Sequence, residues 1–515
     1  MKQPHTYSLR PRPSRRLPIA RAAGLTFALA LALALPMWPD PLAADEAPAT
    51  PNLLFIYLDD FGWRDTSFMG SDFYQTPNID RLAAAGMVFT DAYSPAANCA
   101  PARAALMSGQ YSPRHQIYNV GTGPRGPAAH RRLLHIPGTD RLDPDITTWA
   151  SLLQDAGYRT AIMGKWHLGD DPLPHGFDVN IGGTRSGSPP RGYYPPHPNA
   201  PGLADVPDGE YLTDTLNRLA VEFIVEQADR PWALYLSHFA VHTPLDPRHD
   251  LVPKYEALPA GELHSHVAMA TMIEAVDQGI GLIDQALDQA GVRDRTIIVF
   301  SSDNGGYGPA TSMAPLRGSK GMYYEGGIRV PQFIVWPGVI EPGTRTSVPV
   351  HGVDFYPTFC EMFDLDPPAG HLLDGVSLVP LLRGSSDAAE ALAERPLFWH
   401  FPAYLQNYGS GQLEQRDPLF RTRPCAVVRR GDWKLHEFFE TGDLELYNLA
   451  DDKSETTNLA PTHPDKAAEL HAVLKDWREQ TGAPVPTEPN PEFDPEEEAE
   501  ATARILRRLT AEQPD

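Results

Sequence analysis

The chain has 515 residues, with 43 Lys and Arg against 66 Asp and Glu, so its formal charge is −23. Apolar residues make up 42% and charged residues 21%, which excludes a wholly disordered or fibrous chain. The acidic balance argues against nucleic acid as a partner, because proteins that bind it carry a basic surface. The 53 prolines are about twice the usual share and predict long, stiff loops.

The first 44 residues are predicted to be a signal peptide. Five arginines lie between positions 10 and 21, an apolar run follows from Ala22 to Leu35, and Ala43 and Ala44 fit a small-residue cleavage site. The run is too short to span a bilayer comfortably, so a stable membrane anchor is disfavoured. Its removal changes the charge from −23 to −28, because the segment has six basic residues and one acidic residue. We expect an exported, periplasmic or extracellular protein, by the general secretory or the twin-arginine route.

An α/β domain is predicted over residues 45–390. Apolar runs without polar alternation start at Leu53, Thr160, Trp232, Ile297 and Phe333, and helical patterns lie between them. Such runs are typical of parallel strands that are buried on both faces. The predicted fold is therefore a mostly parallel sheet sandwiched by helices.

A smaller α+β domain with an antiparallel sheet is predicted over residues 391–482. Its short apolar runs, at 425–428, 433–437 and 444–447, are closely spaced and joined by turns. Residues 483–515 are predicted to be a solvated acidic tail with one short helix.

Polar side chains follow four of the predicted strands, where a parallel sheet binds its ligands. Each group alone could be a helix cap or a turn, but four groups at one edge favour a site. Three carboxylates and one amide are hard ligands that suit Ca²⁺ or Mg²⁺, namely Asp59, Asp60, Asp303 and Asn304. The neighbouring donors and acids that would surround an anion are Lys165, His167 and His242.

A nucleophile is predicted at the start of the helix that runs from Pro101 to Gly109. Cys99 would lie at its N-terminus, where free N–H groups favour an anion, and Arg103 would follow one turn later. The alternative is a small buried cysteine beside a helix cap. Cys99, Cys360 and Cys425 cannot form a disulfide framework for a domain of this size, so at least one stays unpaired.

The frame Cys99-x-Pro101-x-Arg103 resembles the signature of the formylglycine-dependent (type I) sulfatases, which belong to the alkaline phosphatase-like superfamily. The resemblance covers roughly residues 50–460 and includes these further segments: 51–60, 164–169, 302–306, 316–331 and 445–449. One position departs from the signature, because Ala102 stands where serine is usual. The resemblance implies an arylsulfatase-like sulfuric ester hydrolase with an alkaline phosphatase-like fold.

The resemblance also implies roles for particular residues. A maturation enzyme would oxidise Cys99 to formylglycine (3-oxoalanine), and the hydrated aldehyde would attack sulfur. One Ca²⁺ would be held by Asp59, Asp60, Asp303, Asn304 and the modified Cys99. Arg103 and Lys165 would steady the hydrated aldehyde, while His242 and Lys320 would contact the sulfate. His242 would protonate the leaving alcohol, and His167 would accept a proton as sulfate is expelled.

The substrate is expected to be a sulfated saccharide or an aryl sulfate, with galactose or N-acetylgalactosamine types favoured and terminal sugars preferred. Candidate sugar-binding segments are residues 175–197, which are rich in Arg, Tyr and Pro, and residues 399–401, which are Trp, His and Phe. Two alternatives stay open: a phosphate or phosphonate monoester hydrolase of the same superfamily, and a non-catalytic carbohydrate-binding relative. The ring position of the sulfate and the oligomeric state are not predicted.

Overall fold

The computed structural model describes residues 50–408 and 416–511, so the predicted signal peptide lies outside the described residues. Within them, nine strands form one large sheet, in the order β4-β3-β5-β1-β6-β7-β2-β8 with β9 beside β2. These strands are β1 (Asn52–Leu58), β2 (Met87–Tyr93), β3 (Arg159–Gly164), β4 (Val179–Ile181), β5 (Trp232–Ser237), β6 (Thr296–Ser302), β7 (Arg329–Val335), β8 (Thr344–Thr346) and β9 (Val350–His351). The run from β4 to β6 is parallel, and β7 is antiparallel to both of its neighbours.

Helices cover both faces of this sheet. They are α1 (Pro77–Ala84), α2 (Cys99–Ser108), α3 (Ser112–His115), α4 (Trp149–Asp155), α5 (Leu212–Glu226), α6 (Val252–Glu256), α7 (Val267–Gln289), α8 (Glu325–Ile328), α9 (Phe355–Phe363), α10 (Val379–Leu382) and α11 (Ser386–Glu394). Along β1, Leu54 and Ile56 pack towards α5 and α7, while Leu53 and Phe55 pack towards α4 and α9. Both faces are therefore apolar, as the uninterrupted apolar runs predict.

The C-terminal part contains the antiparallel sheet that was predicted. Its strands are β10 (Leu397–Phe401), β11 (Leu405–Gln406), β12 (Phe420–Thr422), β13 (Cys425–Arg430), β14 (Trp433–Phe438) and β15 (Asp443–Asn448). The order β10-β13-β14-β15 is antiparallel throughout, and β11 pairs with β12 separately. Helix α12 (Pro464–Thr481) packs Leu470 and Leu474 against this sheet.

The predicted solvated tail is wrong in one respect. Helix α13 (Pro495–Ala511) spans 17 residues, and its Glu498 is buried. The Glu498 carboxylate pairs with Arg132 at 3.0 Å and with Arg423 at 2.8 Å. Two arginines from other parts of the chain therefore hold an acidic helix that the sequence pattern leaves in solvent.

The three cysteines all lie in the described part of the chain, and each is a free, buried thiol. Cys360 lies in α9 and Cys425 in β13, within separate hydrophobic clusters. None of the helices between residues 50 and 511, outside the gap at 409–415, is long and apolar enough to cross a membrane.

Candidate active site

The four strands with polar ends lie side by side in the sheet, in the order β3-β5-β1-β6. Because they are parallel, their carboxyl ends meet at one edge. Asp59 and Asp60 follow β1, Asp303 and Asn304 follow β6, and Lys165 follows β3. These five strand-end residues therefore come together because of the geometry of the parallel sheet.

The carboxylates of Asp59, Asp60 and Asp303 are fully buried, and each offers an oxygen within 4.8 Å of the others. We call these three residues and Asn304 the carboxylate cluster. Each aspartate has one cationic partner, in the pairs Lys165 Nζ–Asp59 Oδ2 (2.6 Å), Lys320 Nζ–Asp60 Oδ2 (2.7 Å) and Arg103 Nη2–Asp303 Oδ2 (2.8 Å). Three negative charges are thus matched by three positive charges.

Two buried oxygens of the carboxylate cluster lack a hydrogen-bond partner within the described residues, Asp59 Oδ1 and Asn304 Oδ1. The Asn304 amide is oriented by its Nδ2, which donates to Asp60 Oδ1 at 2.8 Å. Burial, together with the nearby Asp59, raises the pKa of Asp303 to about 7. A buried oxygen without a hydrogen-bond partner lowers the free energy of unfolding unless a ligand binds it. Carboxylate and amide oxygens are ligands that suit Ca²⁺. The residues therefore fit a hard divalent cation.

Cys99 is the first residue of α2, as its sequence context predicts, and Gly109 ends the helix at a positive φ of 68°. The Cys99 Sγ lies within 4.8 Å of an Asp59 oxygen and a His242 nitrogen. Burial raises the pKa of the Cys99 thiol. One turn along the helix, Arg103 is buried and its Nη1 donates to the backbone oxygen of Lys165 at 3.2 Å.

His242 presents one ring nitrogen to the cluster. Its Nδ1 lies 2.7 Å from the Thr243 carbonyl oxygen, which can only accept, so Nδ1 carries a proton. The other nitrogen, Nε2, is 3.8 Å from Asp60 Oδ2. Burial, with a further contribution from Lys320, lowers the pKa of His242 to about 3.

His167 has a backbone φ of 63°, a conformation that is rare outside glycine and asparagine. Its side chain lies against Gly187, where an added Cβ would be 2.4 Å from His167 Cε1. Only glycine leaves room for the imidazole there. Burial lowers the pKa of His167, and its Nδ1 has no hydrogen-bond partner in the described chain.

A cavity of about 280 Å³ opens onto these groups. Five of the predicted site residues line this cavity: Asp60, Cys99, His167, His242 and Lys320. The other five lie behind the cavity wall: Asp59, Arg103, Lys165, Asp303 and Asn304. The sequence analysis missed several further lining residues, Asn119, Arg125, Tyr307, Tyr408 and Arg421. Tyr307 could have been found, since it directly follows the Asp303–Gly306 motif. The others come from distant segments, including β12 for Arg421, and have no local pattern that marks them.

The expected sugar-binding segments are largely displaced from this cavity. Trp399 and Phe401 are buried in a hydrophobic cluster, and the His400 ring contacts the Pro484 carbonyl oxygen at 2.9 Å. They are core residues because β10 has apolar neighbours on both faces. From residues 175–197, Gly187 and Ser188 line the cavity.

Comparisons with known proteins agree on one family. The family described as Sulfatase matches residues 51–365, and the family described as N-sulphoglucosamine sulphohydrolase, C-terminal, matches residues 319–480. A sulfatase of Formosa agariphila is 33% identical over 85% of this chain and 91% of its own length. The N-acetylgalactosamine-6-sulfatase of Homo sapiens is 31% identical over 70% of each chain. The crystal structure of Ps i-CgsB has a TM-score of 0.68 and 27% identity, and the match covers 89% of this chain and 98% of that one.

The sheet, its flanking helices and the site at the carboxyl edge define an alkaline phosphatase-like hydrolase. Within that superfamily, the chain belongs to the sulfatase family. Its activity is that of a sulfuric ester hydrolase.

Proposed function

We propose that this enzyme removes sulfate from sulfated carbohydrates, with a formylglycine made from Cys99 and one Ca²⁺ held by the carboxylate cluster. The observation that carries the proposal is the pair of orphaned oxygens, Asp59 Oδ1 and Asn304 Oδ1, beside the Cys99 side chain. Oxygen ligands favour calcium over zinc, which prefers nitrogen and sulfur.

The ligands of the ion would be Asp59, Asp60, Asp303 and Asn304, together with the modified Cys99. When present, calcium supplies positive charge at the sulfuryl oxygens, and formylglycine supplies a hydrated aldehyde as nucleophile. Because the three aspartates are already matched by Lys165, Lys320 and Arg103, the charge of the ion stays uncompensated. The site would therefore attract a sulfate anion.

The cations divide into two groups by depth. Arg103 and Lys165 are fully buried, and their salt bridges hold Asp303 and Asp59 in place next to Cys99. Lys320 lines the cavity, so its ammonium group can reach the sulfate while it still pairs with Asp60. In this arrangement Lys320 and His242 contact the sulfate of the bound substrate.

The two histidines lie on the cavity wall and are proposed to move protons. The His242 Nε2 is the atom of that ring free to donate to the leaving alcohol, because Nδ1 is used by Thr243. The negative sulfate supports the charged form of His242 when substrate is bound. His167 Nδ1 is unpartnered, and His167 is proposed to accept the proton that is released as sulfate departs.

The proposed substrates are galactose or N-acetylgalactosamine types at chain ends. Curated relatives include N-acetylgalactosamine-6-sulfatases at 30–31% identity, and Ps i-CgsB has been crystallised with k-i-k-neocarrahexaose. A cavity of about 280 Å³ is at the small end for ligand pockets, which supports a terminal sugar over a site inside a polymer. Export through the N-terminal segment and activation by a maturation enzyme belong to the same proposal.

The test uses protein produced together with a formylglycine-generating maturase. Mass spectrometry of the peptide that contains Cys99, elemental analysis for calcium, and sulfate release from terminally sulfated oligosaccharides are measured on one preparation. We expect an aldehyde at position 99, about one calcium per chain, and faster release from trisaccharides than from uncut polymer. Full activity with an unmodified Cys99 and without metal would overturn the proposal.

A further inference from the structure

Two arginines of the active-site cavity differ in their salt bridges from the cations that pair with the carboxylate cluster. Arg125 and Arg421 both line the cavity, but neither forms an ion pair with any carboxylate in residues 50–408 and 416–511. Each cation of the carboxylate cluster has an aspartate partner instead. The wall of the cavity thus carries two positive charges that form no salt bridge with a carboxylate in the described part of the chain.

Arg421 is held in a defined orientation by neutral groups. Its Nε donates to the Gln406 carbonyl oxygen at 3.0 Å, and its Nη1 donates to the Lys320 carbonyl oxygen at 3.3 Å. The guanidinium group stacks on the Tyr408 ring, 3.8 Å from its centre. These contacts position the group beside Lys320, one of the proposed sulfate-binding residues, without cancelling its charge.

Arg423, two residues further along the chain, shows the usual arrangement for an arginine in this region. It pairs with three carboxylates, those of Asp417, Glu440 and Glu498. Acidic partners are thus present around β12, yet Arg421 lines the cavity and forms a salt bridge with none of the described carboxylates. The two arginines therefore differ in their surroundings although they lie two positions apart.

Burial lowers the pKa of Arg421, and the positive charge of the nearby Arg125 lowers it further, while Tyr408 and Asp60 oppose the shift. Arg125 is fixed through its Nη2, which donates to the Val120 carbonyl oxygen at 2.7 Å. Two positive charges that face one small cavity repel each other, and an anion bound between them offsets this repulsion. A guanidinium group binds the planar edge of a carboxylate or two sulfate oxygens through paired hydrogen bonds.

We propose that Arg125 and Arg421 bind a second anionic group of the substrate, so that the enzyme selects saccharides with a sulfate or carboxylate besides the scissile sulfate ester. The inference rests on the proposed function, because it assigns Lys320 and the carboxylate cluster to the scissile group. The two arginines would form a local positive patch for a substrate with two anionic groups, in a protein whose formal charge is −23 with the predicted signal peptide and −28 without it.

The experiment compares three matched substrates with the mature holoenzyme. They are a singly sulfated galactose-type sugar, the same sugar with a second sulfate, and the singly sulfated sugar linked to a uronic acid. We expect kcat/KM to be about ten- to a hundred-fold higher for one of the two dianionic substrates. Arg421→Gln and, independently, Arg125→Gln should reduce this preference at least about fivefold, mainly through KM. The better of the two dianionic substrates identifies the second group as sulfate or carboxylate.

Two controls separate charge recognition from damage to the fold. Arg421→Lys keeps the charge and should retain part of the preference, while Arg345→Gln removes an exposed arginine of β8 and should leave all three rates unchanged. Binding of the same sugars to Cys99→Ala protein, measured by calorimetry, reports anion recognition without turnover.

The outcomes distinguish the two proposals. A preference that stays the same in both Arg421→Gln and Arg125→Gln, in folded protein, overturns the second-anion site but leaves the sulfatase proposal intact. No sulfate release from any substrate, with an arginine-dependent difference in binding, overturns the proposed function and supports the anion site. No arginine-dependent difference in either assay overturns the anion site.

Discussion

Two buried clusters of charged side chains differ in how completely their oxygens are hydrogen-bonded. In the carboxylate cluster at the sheet edge, Asp59 Oδ1 and Asn304 Oδ1 have no partner among the described residues. The other, which we call the seam cluster, consists of Glu325, Lys434, His436 and Glu455 and joins α8 to β14 of the small sheet. Both clusters are buried, so burial by itself does not distinguish a catalytic site from a structural one.

Every carboxylate oxygen of the seam cluster has a partner. Glu325 binds Lys434 Nζ at 2.9 Å through one oxygen and the Tyr93 hydroxyl at 2.7 Å through the other. Glu455 binds Lys434 Nζ at 2.9 Å and His436 Nε2 at 3.1 Å through Oε1, and it accepts from the Glu325 backbone N–H through Oε2. The difference is that the carboxylate cluster keeps unbonded oxygens just behind the cavity wall, as a cation site would, whereas the fully bonded seam cluster links two parts of the fold.

The largest effect is expected at Cys99, next to the carboxylate cluster. Cys99→Ser changes one atom and should fold normally, but a maturase specific for cysteine leaves the serine unmodified. We therefore expect multiple-turnover sulfate release to fall by at least about a thousandfold. Kinetics are measured on protein shown by mass spectrometry to lack the aldehyde.

Cys360→Ser, in a buried cysteine of α9 away from the cavity, is the matched control and should keep its turnover. Wild-type rates from aldehyde-free Cys99→Ser protein would contradict the formylglycine mechanism.

Asp303→Ala removes one proposed metal ligand and the partner of Arg103. We expect loss of bound calcium and a fall in activity of about a hundredfold or more, because the remaining oxygens are too few to hold the ion. Elemental analysis and sulfate release are compared with wild-type protein before and after chelation. Activity that survives exhaustive chelation, with no metal detected, would show that the carboxylate cluster has another role.

The seam cluster should respond to substitution through stability instead. Lys434→Met leaves the carboxylates of Glu325 and Glu455 buried without their shared cation, which costs about 3–5 kcal/mol of unfolding free energy. Urea denaturation measures the loss, and activity per folded molecule should stay near the wild-type value. Lys453→Met, at an exposed lysine nearby, should change stability by less than about 0.5 kcal/mol. Equal effects of the two substitutions would contradict the structural role of the seam cluster.

The smallest effect is a dependence of stability on acid. Although burial opposes it, the charges of Lys434 and Arg329 lower the pKa of Glu325 from its ordinary value of 4.5 to about 2. Because the folded-state pKa is the lower one, the ionised Glu325 stabilises the fold fully above about pH 4.5, and this contribution is lost as the pH falls towards 2. Thermal unfolding of wild-type and Glu325→Gln protein is compared between pH 7 and pH 3. We expect the difference in unfolding temperature between the two proteins to shrink on acidification. A difference that grows would contradict the stabilising role of the ionised Glu325.

The parts of the site that sequence could predict are those that lie directly beside strand ends. Asp59, Asp303 and Lys165 each follow an apolar run, so the parallel sheet alone brings them to one edge. Cys99 and Arg103 were predictable for a similar reason, because a proline after the cysteine and a glycine at position 109 define a short helix. The pattern of the strands also predicted the two-faced sheet and the antiparallel sheet that follows it.

Only the tertiary structure decided how these residues are paired and what surrounds them. Lys165 and Asp59 are 106 positions apart, and Lys320 and Asp60 are 260 apart, so no local pattern shows that these cations bind the aspartates. The same holds for Arg125 and Arg421, which meet at the cavity from a loop and from β12, and for Glu498, which an acidic run placed in solvent. The physical reason is that periodicity and turn residues encode local structure, whereas a side chain's partner depends on which distant loops pack beside it.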